Sequence, residues 1–338
     1  MVSIVGLSSS FPKNKVSQDE IARFGKSIFS KFGKDFEKML PVYKNSGVET
    51  RYIVEDLEWY SKVHGWKERN TLFKKNALLL LKNSIAKTLK QTKKKPDEIG
   101  AIVIVNTTGI LTPSLDAELI NEFDFNNNIK RLPIFGYGCA GGVLGLTRGT
   151  EIKRSIKKPV LVCNVELCSL TFRPQIFSKS NIVSTALFGD GASSYILDDV
   201  GYCEVLDCYE YLWKGTSHFM GWNVEEDGLG VVFDKIIPEF IYKKLPNILK
   251  EYPPDLNSGF ILHSGGMKII QSYEKILNRC KYIKFSKDIL ANFGNVSSVS
   301  VVLVLKKIIE EKHSGNFYMM ALGPGFTVGI SKLRINKK

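Results

Sequence analysis

Short apolar, β-branched runs punctuate the chain: "SIVGL" from residue 3, "AIVIV" from 101, "RLPIF" from 131, "VLVCNV" from 160, "SYIL" from 194, "FILH" from 260, "YIKF" from 282 and "FYMMAL" from 317. Runs this short, bounded by glycine, proline or charge, read as strands. Longer stretches such as "VLGLTRGTEIKRS" and "VSVVLVLKKIIEEK" read as helices between them. The alternation predicts an α/β protein whose sheets are covered by helices.

The order of the pieces repeats. From residue 101 come a strand "AIVIVNTTG", the small-residue turn "GYGCAGG", a helix and a strand "KPVLVCNVE"; from 259 come a strand "GFILHSGG", the turn "NFGNVSS", a helix and a strand "GNFYMMALGPG". Val103 precedes Cys139 by 36 residues and Ile261 precedes Asn295 by 34; Val162 follows Cys139 by 23 and Met319 follows Asn295 by 24. This register predicts two duplicated α/β halves, 1–200 and 201–338, with Cys139 and Asn295 at equivalent helix starts. Residues from about 15 to 95 have no counterpart and read as a helical insertion on the first half, with Ser17 as an N-cap and Glu20 three residues on.

Composition narrows the class. The net charge of +13 comes mostly from scattered lysines, which read as a solvated surface rather than a nucleic-acid site. No apolar run reaches the ~20 residues of a membrane helix, so no span is expected. The N-terminus lacks a basic region ahead of its short apolar run, and a cytoplasmic protein is expected. Six cysteines without CxxC pairs suit free thiols and no metal.

Candidate chemistry starts at Cys139. A helix start exposes unpaired amides and favours thiolate, and flanking glycines allow close approach of a substrate. Its neighbours alone leave it either a packed thiol or a nucleophile. Of four histidines, His64 and His313 lie among charges and read as surface residues, and His218 lies in a loop. Only His263 ends an apolar strand ahead of glycines, where open α/β sheets hold ligands. Asn295 is by itself an ordinary cap. If the halves pack with these ends facing, Cys139, His263 and Asn295 converge. A thiol to carry an acyl group, with imidazole and amide donors for an enolate, is the equipment of a decarboxylative Claisen condensation.

Four separated stretches, "GYGCAGG", "VELCSLTFRP", "ALFGDGASSYIL" and "LHSGG…NFGNVSS…LGPGFT", resemble the thiolase superfamily and, more closely, the type III polyketide synthases, the chalcone and stilbene synthase group with its bacterial relatives. The resemblance spans nearly the whole chain. It implies a thiolase fold of five layers, αβαβα, a homodimer, a pantetheine tunnel and no metal or prosthetic group. Cys139 would carry the acyl chain, with His263 and Asn295 as the decarboxylation and oxyanion pair. Phe188 and Phe233 match two gatekeeper phenylalanines. Thr107, Glu166 and Ser297 match a hydrogen-bonding trio, and Thr171 and Gly221 match positions that shape the cavity. Lys44, Gly265, Gly266 and Lys268 match the CoA passage. Ser264 departs from the proline usual after the histidine, which removes a rigid φ and adds a donor.

The resemblance implies acyl-CoA starters extended with malonyl-CoA, and its "ELCSL" variant points to a bacterial-type alkylpyrone or alkylresorcinol synthase. One alternative is a β-ketoacyl-ACP synthase III, which shares the Cys-His-Asn set and makes one condensation with malonyl-ACP. Another is a non-catalytic thiolase-fold subunit, which would have no physical need to keep a thiol, an imidazole and an amide together.

Overall fold

The computed structural model describes residues 1–255, 257–277 and 280–337. The chain opens with β1 (Ser3–Ser10) and passes into the insertion: β2 (Asn14–Ser17), α1 (Gln18–Phe29), α2 (Lys34–Glu37), α3 (Pro41–Asn45), β3 (Thr50–Ile53), α4 (Leu57–Tyr60) and the long α5 (Trp66–Thr92). The first half continues through β4 (Ala101–Asn106), α6 (Leu115–Glu122), β5 (Lys130–Phe135), α7 (Gly141–Ile156), β6 (Val160–Leu167), α8 (Lys179–Leu187) and β7 (Asp190–Asp198). The second half comprises β8 (Cys203–Leu212), β9 (Met220–Glu225), β10 (Gly228–Phe233), α9 (Ile237–Glu251), β11 (Gly259–Leu262), α10 (Met267–Leu277), α11 (Ile283–Phe293), α12 (Ser298–Glu310), β12 (Gly315–Gly323) and β13 (Thr327–Ile335).

The duplicated register is present in the strand pairing. β4 runs parallel to β6 with Val103 opposite Val162, and β11 runs parallel to β12 with Ile261 opposite Met319. Each pair is extended by antiparallel strands, β7 then β1 in one half and β13 then β8 in the other. The two half-sheets join in one nine-stranded run through a short seam, Ser3 opposite Glu204 and Ile4 opposite Cys203.

Alternation along these strands builds the layers, because successive side chains face opposite sides. Val103 of β4 and Phe317, Met319 and Ala321 of β12 enter a central core with Val143 and Leu146 of α7 and Val301 to Leu305 of α12. Ile102 and Ile104 face an outer core with Leu81 and Ile85 of α5, while Tyr318, Met320 and Leu322 face another with Ile241 and Leu245 of α9. The result is helix, sheet, helix pair, sheet, helix. This is the five-layered αβαβα arrangement expected of the thiolase fold.

Several local expectations needed correction. "YIKF" is not a strand: Ile283 opens α11, whose buried Phe285, Ser286, Ile289 and Leu290 follow helical spacing. The insertion is helical, and Ser17 and Glu20 form a reciprocal capping box, yet β2 and β3 also pair across it. His64 is buried rather than on the surface. Its ring stacks on Trp59 at 3.8 Å between the Trp59 carbonyl and the Glu68 carboxylate.

The centre of the molecule is the contact between the starts of α7 and α12. A Cβ on Gly142 would stand 2.2 Å from the Ser298 carbonyl oxygen and 2.5 Å from Val301 Cγ1. Gly142→Ala would add about 1 kcal/mol of stability in an open helix; here it is expected to remove about 1–3 kcal/mol through overpacking. Urea unfolding measures the difference, and an unchanged midpoint would mean that the two starts are not in contact.

Candidate active site

Cys139 sits in a single tight turn, Gly138–Ala140, that runs directly into α7. Gly138 has φ +48, a left-handed conformation that glycine adopts freely. Asn295 occupies the matching turn before α12 and is 3 % exposed. Its side-chain oxygen lies 3.9 Å from Cys139 Sγ and accepts a hydrogen bond from the Ser297 amide at 2.9 Å. Its side-chain nitrogen donates to the Gly265 carbonyl at 3.2 Å. Gly265 in turn lies against His263, since a Cβ there would meet the imidazole at 3.2 Å. His263 directly follows β11, and both ring nitrogens are buried without a partner among the described residues. The three residues taken from separate parts of the chain therefore adjoin in one chain of contacts.

Electrostatics corrects the thiolate expectation. Burial pushes the Cys139 thiol up to about 12, against the lowering effect of neighbouring Ser297 and Asn295. Burial also lowers His263 to about 3, so its imidazole is neutral. Desolvation outweighs the helix-start field here. Burial thus favours thiol and neutral imidazole over an ion pair in the ligand-free site.

A small, mostly apolar cavity of about 30 Å³ opens in front of Cys139. Thr107, Cys139, Phe188, Gly221, Phe233 and Ser297 line it, as expected. The Phe188 and Phe233 rings are 5.6 Å apart at their centroids, and a Cβ on Gly221 would enter open space. His263 and Asn295 do not line this cavity; both are buried. Thr171 is not on it either. It lines a small space with Trp66, Arg69 and Thr108, and its hydroxyl donates to the Cys168 carbonyl at 2.8 Å.

Glu166 is fully buried behind Thr107. It accepts from the Thr107 amide at 3.0 Å, the Thr107 and Thr108 hydroxyls at 3.2 and 3.1 Å, and the Ser298 hydroxyl at 2.8 Å. The serine on Glu166 is thus Ser298, whereas Ser297 bonds the Cys139 thiol and faces the cavity. Helical geometry separates the two: Ser297, with φ +45, is the cap and Ser298 the first helical residue. Burial raises Glu166 to about 7 against all four donors.

Lys44 and Lys268 are exposed and make no ion pair among the described residues. They lie on α3 and α10, which approach where Gly47 meets Met267. Gly266, with φ +149, turns the chain from His263 into α10. Ser264 is buried and its hydroxyl has no partner.

Of one wall, sequence reasoning named Gly221 and Phe233 and missed the rest. Met220 and Trp222 of β9 and Val231 and Phe233 of β10 face the cavity together, because Trp222 pairs with Val231 and Met220 with Phe233. The alternation in "MGWNV" and "GLGVVF" was the available signal. Cys168 and Phe188 also border a second, largely apolar space of about 40 Å³, walled by Ile21 and Phe24 of α1, Ile53, Leu57 and Phe172.

The comparisons agree with this geometry. Residues 1–200 match the N-terminal domain of chalcone and stilbene synthases and residues 207–334 match their C-terminal domain. A putative chalcone synthase of Bacillus subtilis is 31% identical over 97% of each chain. An acylalkylpyrone synthase of Aspergillus oryzae is 25% identical over 97% of this chain and 92% of its own. The crystal structure of 1,3,6,8-tetrahydroxynaphthalene synthase from Streptomyces coelicolor superimposes with a TM-score of 0.91 at 24% identity, covering 99% of this chain and all of the other. These matches do not favour the β-ketoacyl-ACP synthase III alternative. With both halves matched and the thiolase architecture in place, the chain belongs to the chalcone and stilbene synthase family, the type III polyketide synthases, which are decarboxylating condensing acyltransferases.

Proposed function

We propose that Cys139 carries the acyl group while His263 and Asn295 act on malonyl-CoA. The observation that carries this reading is the 3.9 Å approach of Cys139 Sγ to the Asn295 side chain, beside a histidine with two unpartnered ring nitrogens. Unpaired buried polar groups cost free energy and call for a ligand. In loading, neutral His263 takes the Cys139 proton as sulfur attacks an acyl-CoA, and passes it to the departing CoA thiolate. Malonyl-CoA then loses its carboxylate as CO2. An imidazole N–H and the second Asn295 amide hydrogen hold the enolate oxygen. The enolate carbon attacks the Cys139 thioester, forming the β-ketoacyl-CoA and releasing the thiolate. No cofactor beyond the CoA thioesters is required.

Phe188, Phe233 and Trp222 would keep water from the enolate, and Thr107, Glu166 and Ser297 would hold a polar corner beside it. Gly221 would shape the space, with Lys44, Gly265, Gly266 and Lys268 along the pantetheine path, while Thr171 stands outside it. The apolar lining of the second space behind Cys168 and Phe188 supports an alkyl tail on the starter, for which its walls would have to part. With the acylalkylpyrone synthase relative, it supports an alkylpyrone or alkylresorcinol-type product. The division near residue 200 would place the nucleophile in one half and the decarboxylation pair in the other. A homodimer is supported by the edge strand β5 and the exposed Phe135 and Ile110 beside it. Among the described residues no helix is long and apolar enough to cross a membrane, and the cytoplasm is the proposed location.

Cys139→Ala is expected to abolish acyl loading, read as acyl-protein by intact mass. Asn295→Ala is expected to load yet release CO2 from malonyl-CoA at least about tenfold more slowly, and His263→Ala to be slowed in both loading and CO2 release; full condensation by the His263 variant would refute its role. Product mass spectra across acyl-CoA chain lengths test the starter class.

The thiol state is tested by iodoacetamide. Deprotonation is what makes sulfur reactive, and a pKa raised to about 12 means that the thiolate fraction still grows with pH throughout the ordinary range. Alkylation of Cys139 in the ligand-free protein is expected to climb roughly tenfold per unit from pH 7 to 9. A plateau below pH 7 would instead reveal a resting thiolate–imidazolium pair.

A further inference from the structure

Arg51 of β3 is 1 % exposed and makes no ion pair among the described residues. A buried guanidinium needs its donors used, and here three backbone carbonyls and the Gln18 side chain take those of Nη1 and Nη2, while Nε has no partner among the described residues. Nη1 donates to the carbonyls of Thr185 at 2.7 Å and Phe188 at 3.0 Å. Nη2 donates to the Ala186 carbonyl at 2.9 Å and to the Gln18 side-chain oxygen. Thr185 and Ala186 close α8, and Phe188 is the residue after it. The last carbonyls of a helix have no partner of their own and carry its negative pole, so a cation is fitted to them.

The segment so gripped holds Asn295. The Asn295 amide donates to the Leu187 carbonyl at 2.7 Å, and the Gly189 amide donates to the Asn295 carbonyl at 3.1 Å. Phe188 and Asn295 form a parallel bridge. A Cβ on Gly189 would meet the Phe293 carbonyl oxygen at 2.2 Å and Arg51 Cβ at 3.4 Å; one on Gly294 would meet the Leu187 carbonyl oxygen at 2.6 Å and Arg51 Cβ at 3.6 Å. The Arg51 stem thus lies beside both strands of the contact while its head fixes one of them.

We infer that Arg51, supplied by the insertion, is a positioning residue that sets the register of Asn295 through residues 185–189, and so governs malonyl decarboxylation more than acyl loading. This rests on the reading of Asn295 as part of the decarboxylation pair. Misplacing a group by about 1 Å can cost on the order of 100-fold in rate. Loading depends on Cys139, whose turn Arg51 does not touch.

The test measures two partial reactions, acyl transfer to Cys139 from an acyl-CoA and CO2 release from malonyl-CoA, in Arg51→Lys and in Gln18→Met, with Asn295→Ala alongside. Lysine keeps the charge but lacks the fork that reaches several carbonyls. Decarboxylation is expected to fall about 10–100-fold in kcat for Arg51→Lys, with KM for malonyl-CoA and the loading rate each within about threefold. Gln18→Met should show the same split to a smaller degree. Equal loss of both reactions, or unchanged decarboxylation, would overturn the inference. Failure of both variants to fold would make Arg51 structural and overturn it as well. If Asn295→Ala decarboxylates normally, it is the reading of Asn295 that fails.

Discussion

The contact between the first turns of α7 and α12 is the constraint on which the rest depends. With the Gly142 position 2.2 Å from a backbone oxygen of the facing helix, neither turn tolerates bulk, and both are written in small residues, "GCAGG" and "GNVSS". Close approach buries the starts of two helices, whose amides and polar caps must find partners away from water. Glu166 answers that need by accepting from Thr107 and Thr108 of the first half and Ser298 of the second. One carboxyl ties the two starts together, and its raised pKa is the cost of serving there.

The same burial shapes the reactive groups. Water that would solvate a thiolate or an imidazolium is excluded, so Cys139 and His263 rest uncharged. His263 retains two unpaired nitrogens and Ser297 a left-handed backbone. These are destabilising features concentrated at one place, tolerated because the surrounding core over-determines the fold. A dry, preorganised site of this kind strengthens any hydrogen bond to charge that develops on a substrate.

How far the sequence foretold this depends on the range of the interaction. The strand pairing of Val103 with Val162 and Ile261 with Met319 was legible because duplication writes the register twice. The convergence of Cys139 with Asn295 followed from the same echo. "YIKF" misled because four residues fit either period, and burial of Ile289 and Leu290 settled it as helix. On the β9–β10 wall the resemblance supplied Gly221 and Phe233, but Met220, Trp222 and Val231 escaped because their alternation belongs to a small two-stranded sheet outside the repeat. The exchange of Ser298 for Ser297 on Glu166 turned on one backbone angle, which composition does not encode. His64 looked exposed among its charged neighbours, and only the Trp59 stack explains its burial.

Duplication also accounts for how the two turns are held. The residues just before β7, 187–189, cover the Asn295 turn of the opposite half. The residues just before β13, 323–325, cover the Cys139 turn: a Cβ on Gly323 would meet the Tyr137 carbonyl oxygen at 2.4 Å, and one on Gly138 would meet Pro324 at 2.7 Å. Each half therefore braces the reactive turn of the other, and neither turn is complete without its opposite number. The equivalence ends at the braces' own supports. Residues 323–325 are followed by Phe326, whose amide is held by the Thr216 hydroxyl at 2.8 Å, a neutral bond from within the second half. Residues 187–189 are instead secured by a buried cation from the insertion. A charged donor to several carbonyls is the stronger restraint, and it falls on the turn whose amide is proposed to hold an enolate. The insertion that breaks the repeat thus also gives the two turns different supports, consistent with one being a nucleophile's seat and the other an oxyanion site.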